Sequence, residues 1–196
     1  MNRRFQLSAG AIFLLSALYF FGGIVSLSAL LLAAAAHELG HIAAIKLLGG
    51  GIKTMRFEAS GMCISMCGVN GAAAEITALL AGPAAGLIFA IICSYCGAKT
   101  ANRLLLECAG YGAILTAYNL LPALPLDGGR AVFALLSKAM GFERAKNIIE
   151  LSGFITGLGL AAAGLAMLGK ELGAALLIAG IWLLIAQTGI VKNMRL

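Results

Sequence analysis

Charge is scarce in this sequence: of 196 residues, 11% are charged and 61% are apolar. A soluble domain of this size must turn roughly a third to a half of its residues toward water, and too few polar side chains are present to clothe that surface. That excludes an ordinary soluble enzyme. Lipid is the alternative solvent, and apolar runs of about 20 residues match its thickness. Acidic residues are rarer still, eight against fourteen basic ones, for a net charge of +6. The basic residues fall at the ends of apolar runs rather than in a cluster, so they read as topology signals and not as a nucleic-acid surface. Cysteine is present in an odd number, five, without the spacing of a secreted scaffold, so no disulfide framework is expected. No polar segment with a cleavage site follows the run Ala9 to Phe21 behind Arg3 and Arg4. It therefore reads as an uncleaved first helix rather than a signal peptide.

What is there in abundance is spanning helix. Six segments can be drawn, at about Ser8 to Gly23, Leu27 to Leu48, Ala74 to Gly97, Arg103 to Leu121, Asn147 to Leu168 and Leu172 to Val191. With the N-terminus in the cytosol, the inner side carries Arg3, Arg4, Lys46, Lys53, Arg56, Arg130, Lys138, Arg144, Lys146, Lys192 and Arg195. The outer side carries Lys99, Arg103 and Lys170. That bias puts both termini in the cytoplasm. The expected fold is an all-α transmembrane six-helix bundle, one domain over residues 1–196, in the cell membrane.

Two connections are more than loops. Ile52 to Gly68 alternates, breaks at Ala59-Ser60-Gly61 and resumes with β-tolerant residues, which predicts a small β-hairpin between the second and third helices. Asn119 to Arg130 (NLLPALPLDGGR) holds two of the three prolines, Pro122 and Pro125, and must be irregular. Irregular backbone at membrane depth survives only against protein or water. A short interfacial helix from Gly129 to Met140 follows, with Val132, Phe133 and Leu136 apolar.

Histidine and aspartate are the rarest ionisable residues, and they carry the chemistry. Both histidines lie in His37-Glu38-Leu39-Gly40-His41, an HExxH pattern on the second helix. Residues four apart share a helix face, so both imidazoles can reach one Zn²⁺. Glu38 can stand beside the metal and take a proton from water. Gly40 and the alanines at 33–36, 43 and 44 leave room for a close neighbour. A catalytic zinc site needs a third protein ligand, and the lone aspartate, Asp127, lies in the proline-broken segment on the same side of the membrane. An ionisable residue inside a bilayer costs on the order of 3 kcal/mol and is functional by default, which weighs against coincidence.

At these residues the sequence resembles the site-2 protease family of intramembrane metalloproteases. The resemblance runs from about Leu27 to Leu135 and rests on HELGH at 37–41 and NLLPALPLDGG at 119–129. The second matches the family pattern N-x-x-P-x-x-x-x-D-G at Asn119, Pro122, Asp127 and Gly128. Ala81-Gly82-Pro83 is similar to the family's Gly-Pro motif, although Gly86 stands where many members have asparagine. The resemblance implies His37, His41 and Asp127 as zinc ligands, Glu38 as catalytic acid/base and Asn119 as an auxiliary polar group. It implies a membrane-bound protein substrate and entry from the cytosolic side. The layout looks most like the branch of stage IV sporulation protein FB, which processes a pro-sigma factor. No CBS or other soluble domain is expected here.

Other groups have plainer readings. Cys93 and Cys96, like Cys63 and Cys67, read as packing residues rather than a redox or metal pair. Glu107 is expected to pair with Arg103 at i+4, and Glu75 suits a helix N-terminus. Gly153 and Gly157 form a small-x-x-x-small pair that packs helices. A zinc or proton transporter would need polar residues along several helices, whereas here they cluster at one depth. A non-catalytic relative would lack Glu38 or a ligand, and both are kept.

Overall fold

The computed structural model describes residues 5–7, 9–58, 61–67 and 71–194. Among these it is an all-α architecture of six helices with a small sheet, divided into two compact units, Met1–Tyr118 and Asn119–Leu196.

In the first unit, α1 runs from Ala9 to Leu47 and absorbs both of the first two expected spans. The separation between them is a kink at Gly23, whose φ of 72° and ψ of −173° leave the helical region. A Cβ there would touch nothing within 4 Å, so backbone conformation alone calls for glycine. Helix α2 (Ala72–Thr100) is longer at both ends than its apolar core indicated, and α3 (Arg103–Asn119) stops two residues early, where the proline-broken stretch begins. Strand β2 (Gly51–Glu58) pairs antiparallel with β3 (Gly61–Cys67), Gly51 opposite Cys67 and Glu58 opposite Gly61. The turn of the expected hairpin, Ala59 and Ser60, lies outside the described residues, as do the side chains of Cys63 and Cys67. A third strand, β1 (Phe5–Leu7), adds parallel to β2. Hydropathy could not reveal it, because three residues are too few to carry a period.

Small residues set the helix contacts of this unit. A Cβ at Gly40 of α1 would collide with the Ala81 carbonyl and the Ala85 methyl of α2, which is the close approach the HELGH glycine promised. Gly112 of α3 lies over Ala90 of α2. Ala29, Cys93 and Cys108 form a buried cluster flanked by Phe89, Leu104 and Leu105, so Cys93 is a packing residue, while Cys96 is exposed. Ser26 donates to Glu107 at 2.7 Å, and Arg103 pairs with the other oxygen of Glu107 at 2.7 Å, as the i+4 spacing predicted.

In the second unit, α4 (Asp127–Met140), α5 (Phe142–Ala166) and α6 (Glu171–Met194) follow the proline-broken stretch. Helix α4 begins at Asp127, two residues before the sequence indicated, because extended Leu126 ends the irregular backbone and a carboxylate is favourable in a first helical turn. Gly141, at φ 87°, breaks the helix between α4 and α5 and lets α5 start at Phe142 instead of Asn147. Gly153 and Gly157 face Gln187 and Leu184 of α6, and Gly180 lies against Ala161, so the small pair packs helices within the chain.

Among the described residues, three helical stretches are long and apolar enough to cross a membrane: Gly22–Leu47, Ala72–Thr100 and Phe142–Ala166. At 1.5 Å per residue, the first reaches about 39 Å against a hydrocarbon core of about 30 Å. Their outer faces carry exposed Leu87, Ile88, Ile91 and Ile92 on α2 and Leu151, Phe154, Ile155 and Leu158 on α5. Large apolar side chains turned outward along whole helices suit lipid, not water. This is a membrane protein.

Candidate metal centre

Helix α1 presents His37 and His41 one turn apart, both buried, at 3% and 7% exposure. Their Nε2 atoms face each other at 3.2 Å, with the rings 4.9 Å apart and inclined at 76°. Two nitrogens bound at about 2.0–2.1 Å on a tetrahedral Zn²⁺ lie about 3.3–3.4 Å from each other, so this separation is that of one edge of such a site. The far side of His41 fixes its tautomer. Its Nδ1 is 2.8 Å from the Ala78 carbonyl, which can only accept, so Nδ1 carries the proton and Nε2 keeps its lone pair.

Helix α2 seats both rings. A Cβ at Gly82 would collide with the His41 imidazole, and one at Gly86 would reach Nδ1 of His37 at 3.5 Å. The pairs are four residues apart on both helices, so His41 sits over Gly82 and His37 over Gly86. The Gly-Pro motif thus has a steric reason: any side chain at 82 would displace a ligand.

Asp127, the first residue of α4 and half-buried, is the third member of a group that could hold a metal ion. One ligand atom from each of His37, His41 and Asp127 lies within 4.8 Å of the others. Nitrogen, nitrogen and carboxylate oxygen are the donors zinc favours, so these residues fit such an ion. Glu38 is half-buried beside His37, and Asn119 is the half-buried last residue of α3.

The backbone that carries Asp127 is held by groups the sequence did not single out. Gly128 lies against the Leu120 carbonyl and Gly129 against the backbone of Ala123, where a Cβ would collide in either case. Ser152 of α5 donates to the Pro122 carbonyl at 2.7 Å, and buried Gln187 of α6 donates through Nε2 to the Leu124 carbonyl. These bonds satisfy carbonyls that proline leaves out of any helix. Nothing in the sequence around Ser152, Gln187 or Ala78 marked them, because their partners are main-chain atoms distant in sequence. Replacing Gln187 by leucine keeps the volume and strands the Leu124 carbonyl. Stability should fall by about 1–3 kcal/mol, read as a lower thermal midpoint in micelles. An unchanged midpoint would show that the bond contributes nothing.

Residues 97–160, which include α3, the Asp127 segment and α4, match the family model Peptidase family M50. The chain is similar in fold to the solved "Site-2 Protease from Methanocaldococcus jannaschii", with a TM-score of 0.71 over 91% of this chain and 84% of that one, at 23% sequence identity. No curated protein matches the sequence.

Proposed function

We propose that this chain is a metallopeptidase of the M50 or site-2 protease family, a zinc-dependent intramembrane protease that hydrolyses peptide bonds in membrane-embedded or membrane-associated protein substrates. The observation that carries the proposal is the pair of buried imidazole Nε2 atoms 3.2 Å apart, with a carboxylate within 4.8 Å, in a helix long enough to span a bilayer.

In this reading His37, His41 and Asp127 hold the ion, and it supplies Lewis-acid activation of water and of the scissile carbonyl. Glu38 accepts the proton of the attacking water and returns it to the leaving amine. Asn119, at the end of α3, orients the substrate or donates to the developing oxyanion. The substrate must unwind before its carbonyls are accessible. β3 is an edge strand of the sheet order β1-β2-β3, which supports a hairpin that receives the unwound segment as an added strand. The same reading takes the chain as one domain over 1–196 that crosses the membrane six times, on its apolar runs, and the Lys and Arg distribution supports cytoplasmic termini and entry from the cytosol. The stage IV sporulation protein FB branch, with a pro-sigma or anti-sigma factor as substrate, extends the same reading.

The test is cleavage of a membrane-anchored reporter by purified protein in micelles. Stripping metal with a chelator should abolish cleavage, and stoichiometric Zn²⁺ should restore it. Full activity in a verified metal-free preparation would overturn the assignment.

A further inference from the structure

Thr116 is 4% exposed, and its hydroxyl is buried without a hydrogen-bond partner. That sets it apart from other helical threonines. Thr77, Thr100 and Thr156 each donate to the carbonyl four residues back, to Ala73, Cys96 and Ser152 at 2.8–2.9 Å. This local bond is the cheap way to satisfy a helical hydroxyl in apolar surroundings. Thr116 forgoes it.

Its direction explains why. Thr116 lies on the buried stripe Cys108, Gly112, Thr116 of α3, which packs on α2. A Cβ built on Gly86 would sit 2.8 Å from Thr116 Oγ1 and 3.5 Å from Nδ1 of His37. Hydroxyl and imidazole nitrogen therefore flank the same small volume, which a side chain at position 86 would fill. His41 already has its Nδ1 proton directed to a carbonyl. The threonine offers an oxygen on the corresponding side of His37.

We propose that Thr116 is a positioning residue for His37: its hydroxyl accepts the Nδ1 proton across the notch at Gly86 through one bridging water, and so reserves Nε2 for the metal. A partner on the remote nitrogen fixes the tautomer and ring orientation of a ligating histidine, and its loss typically costs about 10–100-fold in metal affinity. The inference rests on the metal-site reading above, but its test does not need catalysis.

The chain has two histidines, so ¹⁵N-histidine labelling gives a spectrum with one set of signals for each. In the metal-free wild type in micelles, His37 should show a Nδ1-bound proton protected from solvent exchange. Thr116→Val, nearly isosteric, should lose that protection while the His41 signals stay in place. Its zinc affinity, from chelator competition, should drop about 10–100-fold. Thr116→Ser keeps the hydroxyl and should stay within about threefold of wild type by the same logic. A His37 protonated on Nε2 in the wild type overturns the proposal, as does unaltered zinc affinity in Thr116→Val. A Thr116→Ser protein as impaired as Thr116→Val also overturns it, because shape rather than the hydroxyl would then be responsible. Should the wild type bind no zinc, the metallopeptidase reading fails, and the His37 proton signal still decides the role of Thr116.

Discussion

Glu38→Gln should lower turnover of a membrane-anchored substrate by about 10²–10⁴-fold, the range that general acid–base catalysis supplies. Gln has the size and hydrogen-bonding shape of Glu but cannot take a proton from water. The metal-binding group comprises His37, His41 and Asp127 without Glu38, so zinc content should stay at one per chain. The substitution thereby separates two roles that a ligand variant confounds. Single-turnover cleavage by the purified variant, alongside metal analysis of the same sample, measures both. Cleavage at the wild-type rate would remove Glu38 as the proton acceptor, and loss of zinc would make it a ligand.

Asp127→Ala should remove the metal. The carboxylate is the one anionic donor of the group, and without it two neutral imidazoles face the ion. Affinity should fall by more than the roughly 10–100-fold typical of an outer-shell partner, so that the protein loses zinc on gel filtration and cleavage stops. Unfolding would not explain this. Asp127 also opens α4, where a first-turn carboxylate contributes about 0.3–1 kcal/mol through the helix dipole, too little to dissolve the structure. Far-UV circular dichroism of the variant should match the wild type. A zinc stoichiometry unchanged from the wild type would mean that another residue completes the group.

What the sequence determined by itself is the part of the chemistry written in local periods and in scarcity. Two histidines four apart must share a helix face, an aliphatic chain with few charges must seek lipid, and two prolines three apart must break a helix. Those constraints act within a turn or two of backbone, so His37, Glu38, His41 and the irregular stretch before Asp127 were legible without coordinates. Scarcity extended the reach of this reading to Asp127, since one aspartate leaves little choice of acidic donor outside glutamate.

The tertiary structure decided what local spacing cannot encode. The strand Phe5–Leu7 forms only where the chain brings it beside Met55–Phe57, a neighbour that pattern does not name. Gly82 and Gly86 stood only as motif positions in the sequence, and the fold seats the rings of His41 and His37 on them. Ala78 supplies only a carbonyl, which every residue has, and Gln187 and Thr116 are single polar residues in apolar helices. Their roles exist because distant helices bring a main-chain oxygen or an imidazole nitrogen opposite them. A polar group in lipid must find its partner wherever packing puts one, and packing is a property of the folded chain.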